Sequence, residues 1–310
     1  MSKFAALFPG QGSHEIGMGQ SLAAVYPEAR QVLDEAEATI PGLARLMTEG
    51  PEADLTLTAN QQPALLACGL AAYRAFAARS AVAPVAAAGH SLGEFTALCA
   101  AGALDPAAAL RAVRARGIFM QEANPVGKGS MAAVLKIDAE VIREILSRMP
   151  EPRAEVANLN SPEQTVISGP VDAIAAAIEA LKAVRARVIL LNISGSFHSS
   201  LMAPAAARLR AVLDSIPFGA PSFPVIANVT AEPHPPEPEG IRELLVRQVT
   251  GAVRWTDTLR RLWDEGCRAF VEFGSRRILT GLVGRTLPEA RCFNVDSPEG
   301  LEAALTGVSE

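Results

Sequence analysis

Val82-Ala83-Pro84-Val85-Ala86-Ala87-Ala88, followed at once by Gly89-His90-Ser91-Leu92-Gly93, is the stretch on which the fold turns. The short apolar run ended by glycine reads as a buried strand, and a good helix-forming segment begins just after Ser91. A Gly-x-Ser-x-Gly motif between a strand and a helix is the setting of a nucleophile elbow. Its glycines let the backbone crowd through a turn that would clash with side chains. Ser91 then stands at the start of a helix, where free amides and the helix dipole favour a developing negative charge.

Upstream, Phe4 to Phe8 is another short apolar run, stopped by Pro9-Gly10, with helical periodicity around Ser21 to Ala38 and from Gln62 to Ala78. Strands alternating with helices predict a mainly parallel sheet covered on both faces. The middle of the chain changes rhythm. Met131 to Ile137 reads as a strand, Ala139 to Met149 as a helix, Glu155 to Asn158 and Thr165 to Ser168 as strands around Asn160-Ser161-Pro162. A helix from Val171 to Ala183 and a strand from Arg187 to Leu191 complete a βαββαβ order, the ferredoxin-like pattern. With Pro125-Val126-Gly127-Lys128-Gly129 as entry linker, the expected division is a large α/β catalytic domain of residues 1–127 and 194–310 and a small subdomain of residues 128–193. The large domain resumes with a helix at Met202 to Leu213 and a strand at Val225 to Val229. Helices at Ile241 to Val249 and Thr256 to Glu265, a strand at Ala269 to Phe273 and a last helix at Ile278 to Arg285 follow.

The totals exclude several classes. Of 310 residues, 49% are hydrophobic and 20% charged, which suits a globular protein rather than a disordered one. A net charge of −5 argues against general nucleic-acid binding. Cys68, Cys99, Cys267 and Cys292 are scattered, with no pair at metal-ligand spacing and no disulfide framework; Cys99 lies in an apolar run and reads as a small buried hydrophobe. The start of the chain holds no apolar signal core and no stretch reaches 18 apolar residues, so the cytoplasm is the expected address.

A serine hydroxyl needs a base, and there are only four histidines. His90 adjoins the serine and points elsewhere in an elbow, and His14 sits in the first Gly-rich loop. His234, in His234-Pro235-Pro236-Glu237-Pro238, lies in a loop that is hard to fix in place. His198, in Ser194-Gly195-Ser196-Phe197-His198-Ser199, follows the subdomain's last strand and is the best-placed candidate. Pro9-Gly10-Gln11-Gly12-Ser13 is no dinucleotide loop, because Glu15 stands where the third glycine belongs. Such a turn, its amide facing the elbow, supplies an oxyanion donor instead.

Phe8-Pro9-Gly10-Gln11-Gly12-Ser13, Gln62-Pro63-Ala64-Leu65, Gly89-His90-Ser91-Leu92-Gly93-Glu94, Arg116-Gly117 with Met120-Gln121, and Asn160-Ser161-Pro162 form an ordered series. It continues with Phe197-His198, Leu201-Met202, Val253-Arg254-Trp255-Thr256 and Leu279-Thr280-Gly281-Leu282. The series resembles the malonyl-CoA:acyl carrier protein transacylase family over nearly the whole chain. The resemblance implies a hydrolase-like α/β domain with a ferredoxin-like insert and a cleft between them. It implies Ser91 as nucleophile and His198 as base, oriented by the main-chain carbonyl of Gln248, so that Gln248→Ala should slow acylation far less than His198→Ala. The amides of Gln11 and Leu92 would form the oxyanion hole, and Arg116, rather than its neighbours Arg111 and Arg114, would grip the malonyl carboxylate. Leu92 and Phe197 resemble the malonyl-selective members. Ser275-Arg276-Arg277, where glycine and a small neutral residue are usual, and His14, where glutamine is usual, depart from the pattern.

The implied reaction is a ping-pong transfer from malonyl-CoA through acyl-Ser91 to the phosphopantetheine thiol of an acyl carrier protein. No metal or cofactor is implied, and neither nucleic acid nor membrane is an expected partner; a monomer is expected. Rival readings are an editing thioesterase of the same fold, an α/β-hydrolase esterase and a non-catalytic docking module. A retained Arg116 argues against the first, the lack of a carboxylate and a well-placed late histidine against the second, and an intact Ser91, His198 and Arg116 together against the third.

Overall fold

The computed structural model describes residues 3–125, 127–193 and 195–309. Val126 of the expected linker and Ser194, where the large domain was expected to resume, lie outside the described residues. A fully parallel five-stranded sheet is built from β1 (Phe4–Phe8) and β2 (Ala86–Gly89), with a second sheet's strands intervening in the chain before the remaining three. That second sheet comprises β3 (Gly129–Leu135), β4 (Glu155–Ser161), β5 (Gln164–Pro170) and β6 (Arg187–Leu190). The chain then returns to the first through β7 (Val225–Ile226), β8 (Ala269–Phe273) and β9 (Arg291–Val295), giving the order β7-β2-β1-β8-β9.

Alternation along β1 explains why this sheet is buried on both faces. Phe4, Ala6 and Phe8 enter a core shared with the helices Thr58–Ala77 and Pro106–Ala123. Ala5 and Leu7 enter another with Trp255, Leu259 and Val283 of the helices Trp255–Asp264 and Ile278–Thr286. A side-chain period of two sends one strand's residues into both layers. Phe8 pairs with Gly89, so β1 and β2 end level and their following loops lie side by side. The site is built on that shared edge.

The second sheet is antiparallel, in the order β4-β5-β3-β6. The helices Ala139–Ser147 and Val171–Ala183 cover one face through Ile142, Leu146, Ile174, Ala177 and Leu181, packed on Ala132, Val134 and Ile167. The second sheet is tied to the segment leading into the helix Trp255–Asp264: Leu159 N–H donates to the Val253 carbonyl and Val253 N–H to the Ala157 carbonyl, both at 2.9 Å.

The elements differ from the sequence reading at four places, the first with a local cause. The helix expected over 21–38 is two, Gln20–Val25 and Pro27–Thr39. Pro27 disfavours helical geometry at Tyr26, which is extended at φ −112°, ψ 117°. The helix expected from Gln62 begins at Thr58, so Pro63 lies inside it. The strand expected over 225–229 is only two residues long. Finally, β9 and a helix at Pro298–Ser309 extend the domain past Arg285, where the reading stopped.

Candidate active site

Ser91 adopts a left-handed conformation, φ 52°, between β2 and the helix Gly93–Ala100. The flanking glycines are required by space. A Cβ on Gly89 would lie 1.8 Å from the Gly93 carbonyl carbon, and one on Gly93 would lie 1.9 Å from the Phe8 oxygen. Asn228, just past β7, staples the turn: its Oδ1 accepts from Ser91 N–H and its Nδ2 donates to the Gly89 carbonyl, both at 2.7 Å. The strained serine is thus held by its surroundings rather than by preference.

His198 Nε2 lies 2.8 Å from Ser91 Oγ. Its Nδ1 faces two carbonyls, Gln248 at 2.9 Å and Gly251 at 3.2 Å. Carbonyls only accept, so Nδ1 carries the proton and Nε2 is the acceptor for the serine hydroxyl. The Gln248 carbonyl is available because Gln248 lies in the last turn of the helix Pro238–Thr250, where carbonyls lack intrahelical partners. Burial, and then the nearby Arg116 charge, push the His198 imidazole down to about 3, so it is neutral at pH 7. A hydroxyl donating to such a nitrogen can surrender its proton as it attacks.

Behind the serine lies a buried polar network. Arg116 is 1% exposed, whereas Arg111 and Arg114 are solvated. Its Nη1 donates to Gln62 Oε1 at 2.8 Å, and its Nη2 to Gln248 Oε1 at 2.9 Å and Ser91 Oγ at 3.1 Å. Its Nε is buried without a hydrogen-bond partner among the described residues. Burial lowers the guanidinium to about 10, opposed by the Glu94 carboxylate, and it remains charged. Glu94 Oε2 accepts from Gln248 Nε2 at 2.8 Å and Asn228 N–H at 3.0 Å, and Glu94 Oε1 lies 2.7 Å from His234 Nε2.

One expectation is corrected here. His234 is not adrift in its proline-rich loop: it is buried, its N–H donates to the Val225 carbonyl at 2.8 Å, and its ring is bound to Glu94. The Gln248 side chain, for which the sequence reading named no contact, bonds Arg116, Glu94 and, through Nε2, the Ser91 carbonyl at 2.8 Å.

Ser91 and His198 open onto a cavity of about 650 Å³ at the level where β1 and β2 end. Gln11, Asn160 and Gln164 line it with Met131, Phe197 and Leu279. The backbone amides of Gln11 and Leu92 donate to no acceptor among the described residues. At the rim, Gln61 Nε2 donates to His14 Nδ1 at 2.8 Å, and the other ring nitrogen lies 3.1 Å from Thr56 Oγ1. Burial, then Arg276, lower the His14 pKa. His90 turns away, bonding Asn160 Oδ1 at 2.9 Å and packing on Trp255. No cluster of three or more His, Cys, Asp or Glu side chains suited to a metal occurs among the described residues.

Ser91, His198, Arg116 and Gln248 therefore meet in one contact network, with Gln11 on the cavity wall and Leu92 leading the helix away from the serine. Sequence reasoning missed Asn228, and it quoted Glu94 and Gln62 without giving them a task. A carboxylate immediately ahead of the largely apolar run Phe95 to Ala101 was a usable signal for Glu94. A lone asparagine after a short strand gave none.

A parallel sheet ending in a serine elbow, with a histidine on the serine and a buried arginine behind it, is an acyl transferase arrangement. The chain belongs to that family, matching the acyl transferase domain over residues 6–301. Within it the chain groups with the malonyl CoA-acyl carrier protein transacylases. It is 43% identical to that of Bacillus subtilis (strain 168), over 100% of this chain and 98% of the relative. It is 39% identical to that of Escherichia coli (strain K12), over 98% and 99%. Among solved structures, the acyl-carrier-protein-S-malonyltransferase of Bartonella henselae superposes with a TM-score of 0.95 at 40% identity, covering 99% of this chain and all of that one. A malonyl-transacylase in complex with its type II PKS acyl-carrier protein does so with a TM-score of 0.95 at 39% identity, covering 99% and 100%.

Proposed function

We propose that the protein transfers a malonyl group from malonyl-CoA to the phosphopantetheine thiol of an acyl carrier protein, through an ester on Ser91. The observation that carries this reading is the continuous chain from Ser91 Oγ to His198 Nε2, and from His198 Nδ1 to the Gln248 carbonyl. In the first half-reaction Oγ attacks the thioester carbonyl carbon while Nε2 takes the hydroxyl proton. The resulting oxyanion is received by the amides of Gln11 and Leu92. Collapse breaks the carbon–sulfur bond, and coenzyme A leaves with the proton held by His198. In the second half-reaction His198 takes the proton of the carrier thiol, whose sulfur attacks the ester, and Ser91 regains its hydroxyl. The main-chain carbonyl of Gln248 fixes the imidazole without a carboxylate. Arg116 selects malonate, since a buried carboxylate needs a paired cation.

We read residues 1–127 and 194–310 as the hydrolase-like domain and residues 128–193 as a ferredoxin-like insert. The antiparallel β4-β5-β3-β6 order with both helices on one face supports the latter. No helix among the described residues is long and apolar enough to cross a membrane. A cytoplasmic address is inferred because coenzyme A thioesters are kept inside cells. Water in place of the carrier thiol would make a thioesterase, but the relatives named above are transacylases. Incubation with malonyl-CoA should add one malonyl group, mapped to Ser91 by peptide mass, and a carrier protein should remove it. Stoichiometric malonylation of a Ser91→Ala protein would sink the assignment.

A further inference from the structure

The contacts of Arg116 imply more than a seat for a carboxylate. A guanidinium offers two edges for a two-pronged contact, Nε with Nη2 and Nη1 with Nη2. Both edges include Nη2. Here Nη2 is shared between Gln248 Oε1 at 2.9 Å and Ser91 Oγ at 3.1 Å, while Nε is buried without a partner among the described residues. A carboxylate that takes a fork must therefore draw Nη2 from one of those acceptors.

Gln248 is the harder to displace. Its amide is buried and anchored by Nε2 to the Ser91 carbonyl and to Glu94 Oε2, each at 2.8 Å. Ser91 Oγ is the acceptor that yields. A hydroxyl has one proton and two lone pairs. In the unliganded site the proton goes to His198 and one lone pair accepts from Arg116. That hydrogen bond to a cation withdraws electron density from the atom that must attack.

We propose that Arg116 restrains the Ser91 nucleophile and that the acyl group's own carboxylate releases it. The proposal rests on the reading of Ser91 as the acylated residue. Binding of the carboxylate to the Nη2 fork frees the Oγ lone pair. Pairing the guanidinium with an anion also offsets the charge that disfavours protonation of His198. Both changes act on the nucleophile and base at the moment the correct acyl group is seated. Selection for malonate is then expressed in the rate of attack and not only in binding. A neutral acyl thioester meets a serine that is still restrained.

The test compares malonyl-CoA with acetoacetyl-CoA, which replaces the terminal carboxylate by an uncharged methyl ketone of similar size. Single-turnover acylation of Ser91 is followed by mass at saturating thioester, separating the rate of attack from affinity. Wild-type protein should be acylated about tenfold or more faster at saturation by malonyl-CoA, the scale of one charge-assisted hydrogen bond. In Arg116→Met, which keeps the stem's volume, Ser91 should become more reactive, with acetoacetyl-CoA acylation and labelling by phenylmethanesulfonyl fluoride both rising about tenfold. Equal saturating rates in the wild type, with the difference confined to affinity, would overturn the restraint. So would unchanged or slower labelling of folded Arg116→Met. Should Arg116→Met not fold, the wild-type comparison decides. Failure of malonyl-CoA to acylate Ser91 would instead discard the transferase reading.

Discussion

Replacing Gln248 with Ala probes the buried network most directly, because the backbone carbonyl that orients His198 is retained. In the native site the Gln248 side chain accepts from Arg116 Nη2 and donates to Glu94 Oε2 and the Ser91 carbonyl. All of these partners are buried, so water does not replace what is lost. A buried partner left unsatisfied costs about 1–3 kcal/mol, and more when it is charged. Two of the three partners are charged and keep other bonds, so a loss of about 3–5 kcal/mol of folding stability follows. Urea unfolding monitored by tryptophan fluorescence measures it, with Gln248→Leu as a control that restores apolar volume without the hydrogen bonds. Leu should recover little of the loss. A Gln248→Ala protein within about 1 kcal/mol of wild type, or full rescue by Leu, would refute the view that the network rests on this amide.

Two further outcomes concern the half-reactions. His198 acts as a base only when neutral, and its depressed value of about 3 keeps it neutral well below pH 6.5. The acid limb of the kcat/KM profile for acylation should therefore fall far under pH 6, with the rate at pH 5 within about twofold of that at pH 7. A half-maximal point near 6.5 would contradict the burial argument, and His198→Ala should slow acylation about 10²–10⁴-fold at neutral pH. For the carrier step, Lys128, Lys182, Arg185, Arg187, Arg276 and Arg277 are exposed on a protein of net charge −5. Because surface steering is screened within about 10 Å at ~0.1 M salt, added salt should slow transfer to an acidic carrier more than acylation by malonyl-CoA. Equal slowing of both would remove the case for a basic docking patch.

Elements defined by burial were the most legible. The β1 and β8 boundaries, Phe4–Phe8 and Ala269–Phe273, match those read from the sequence, because β1 is wholly apolar and β8 is apolar but for the buried Glu272. The elbow was legible for a steric reason: only glycine fits at 89 and 93. What escaped depended on tertiary partners. His234 looked unfixable among prolines because nothing local announces Glu94, which is 140 residues away. The Gln248 side chain had no contact legible in the sequence because its three partners come from distant segments. Asn228 is one asparagine after a two-residue strand, and its task exists only once Gly89 and Ser91 are beside it.

The closed network behind the serine constrains how this enzyme can change over generations. Gln62, Glu94, Arg116, Asn228, His234 and Gln248 hydrogen-bond one another with little access to water. A single substitution among them strands a neighbour, so tolerated variation there requires paired, compensating exchanges. The cavity wall is under no such obligation. Met131, Val166, Leu191, Leu279 and Leu282 meet the ligand space with apolar surface, and each can be swapped for another hydrophobe without orphaning a partner. Acyl preference can therefore drift residue by residue along the wall while the machinery beneath it stays fixed.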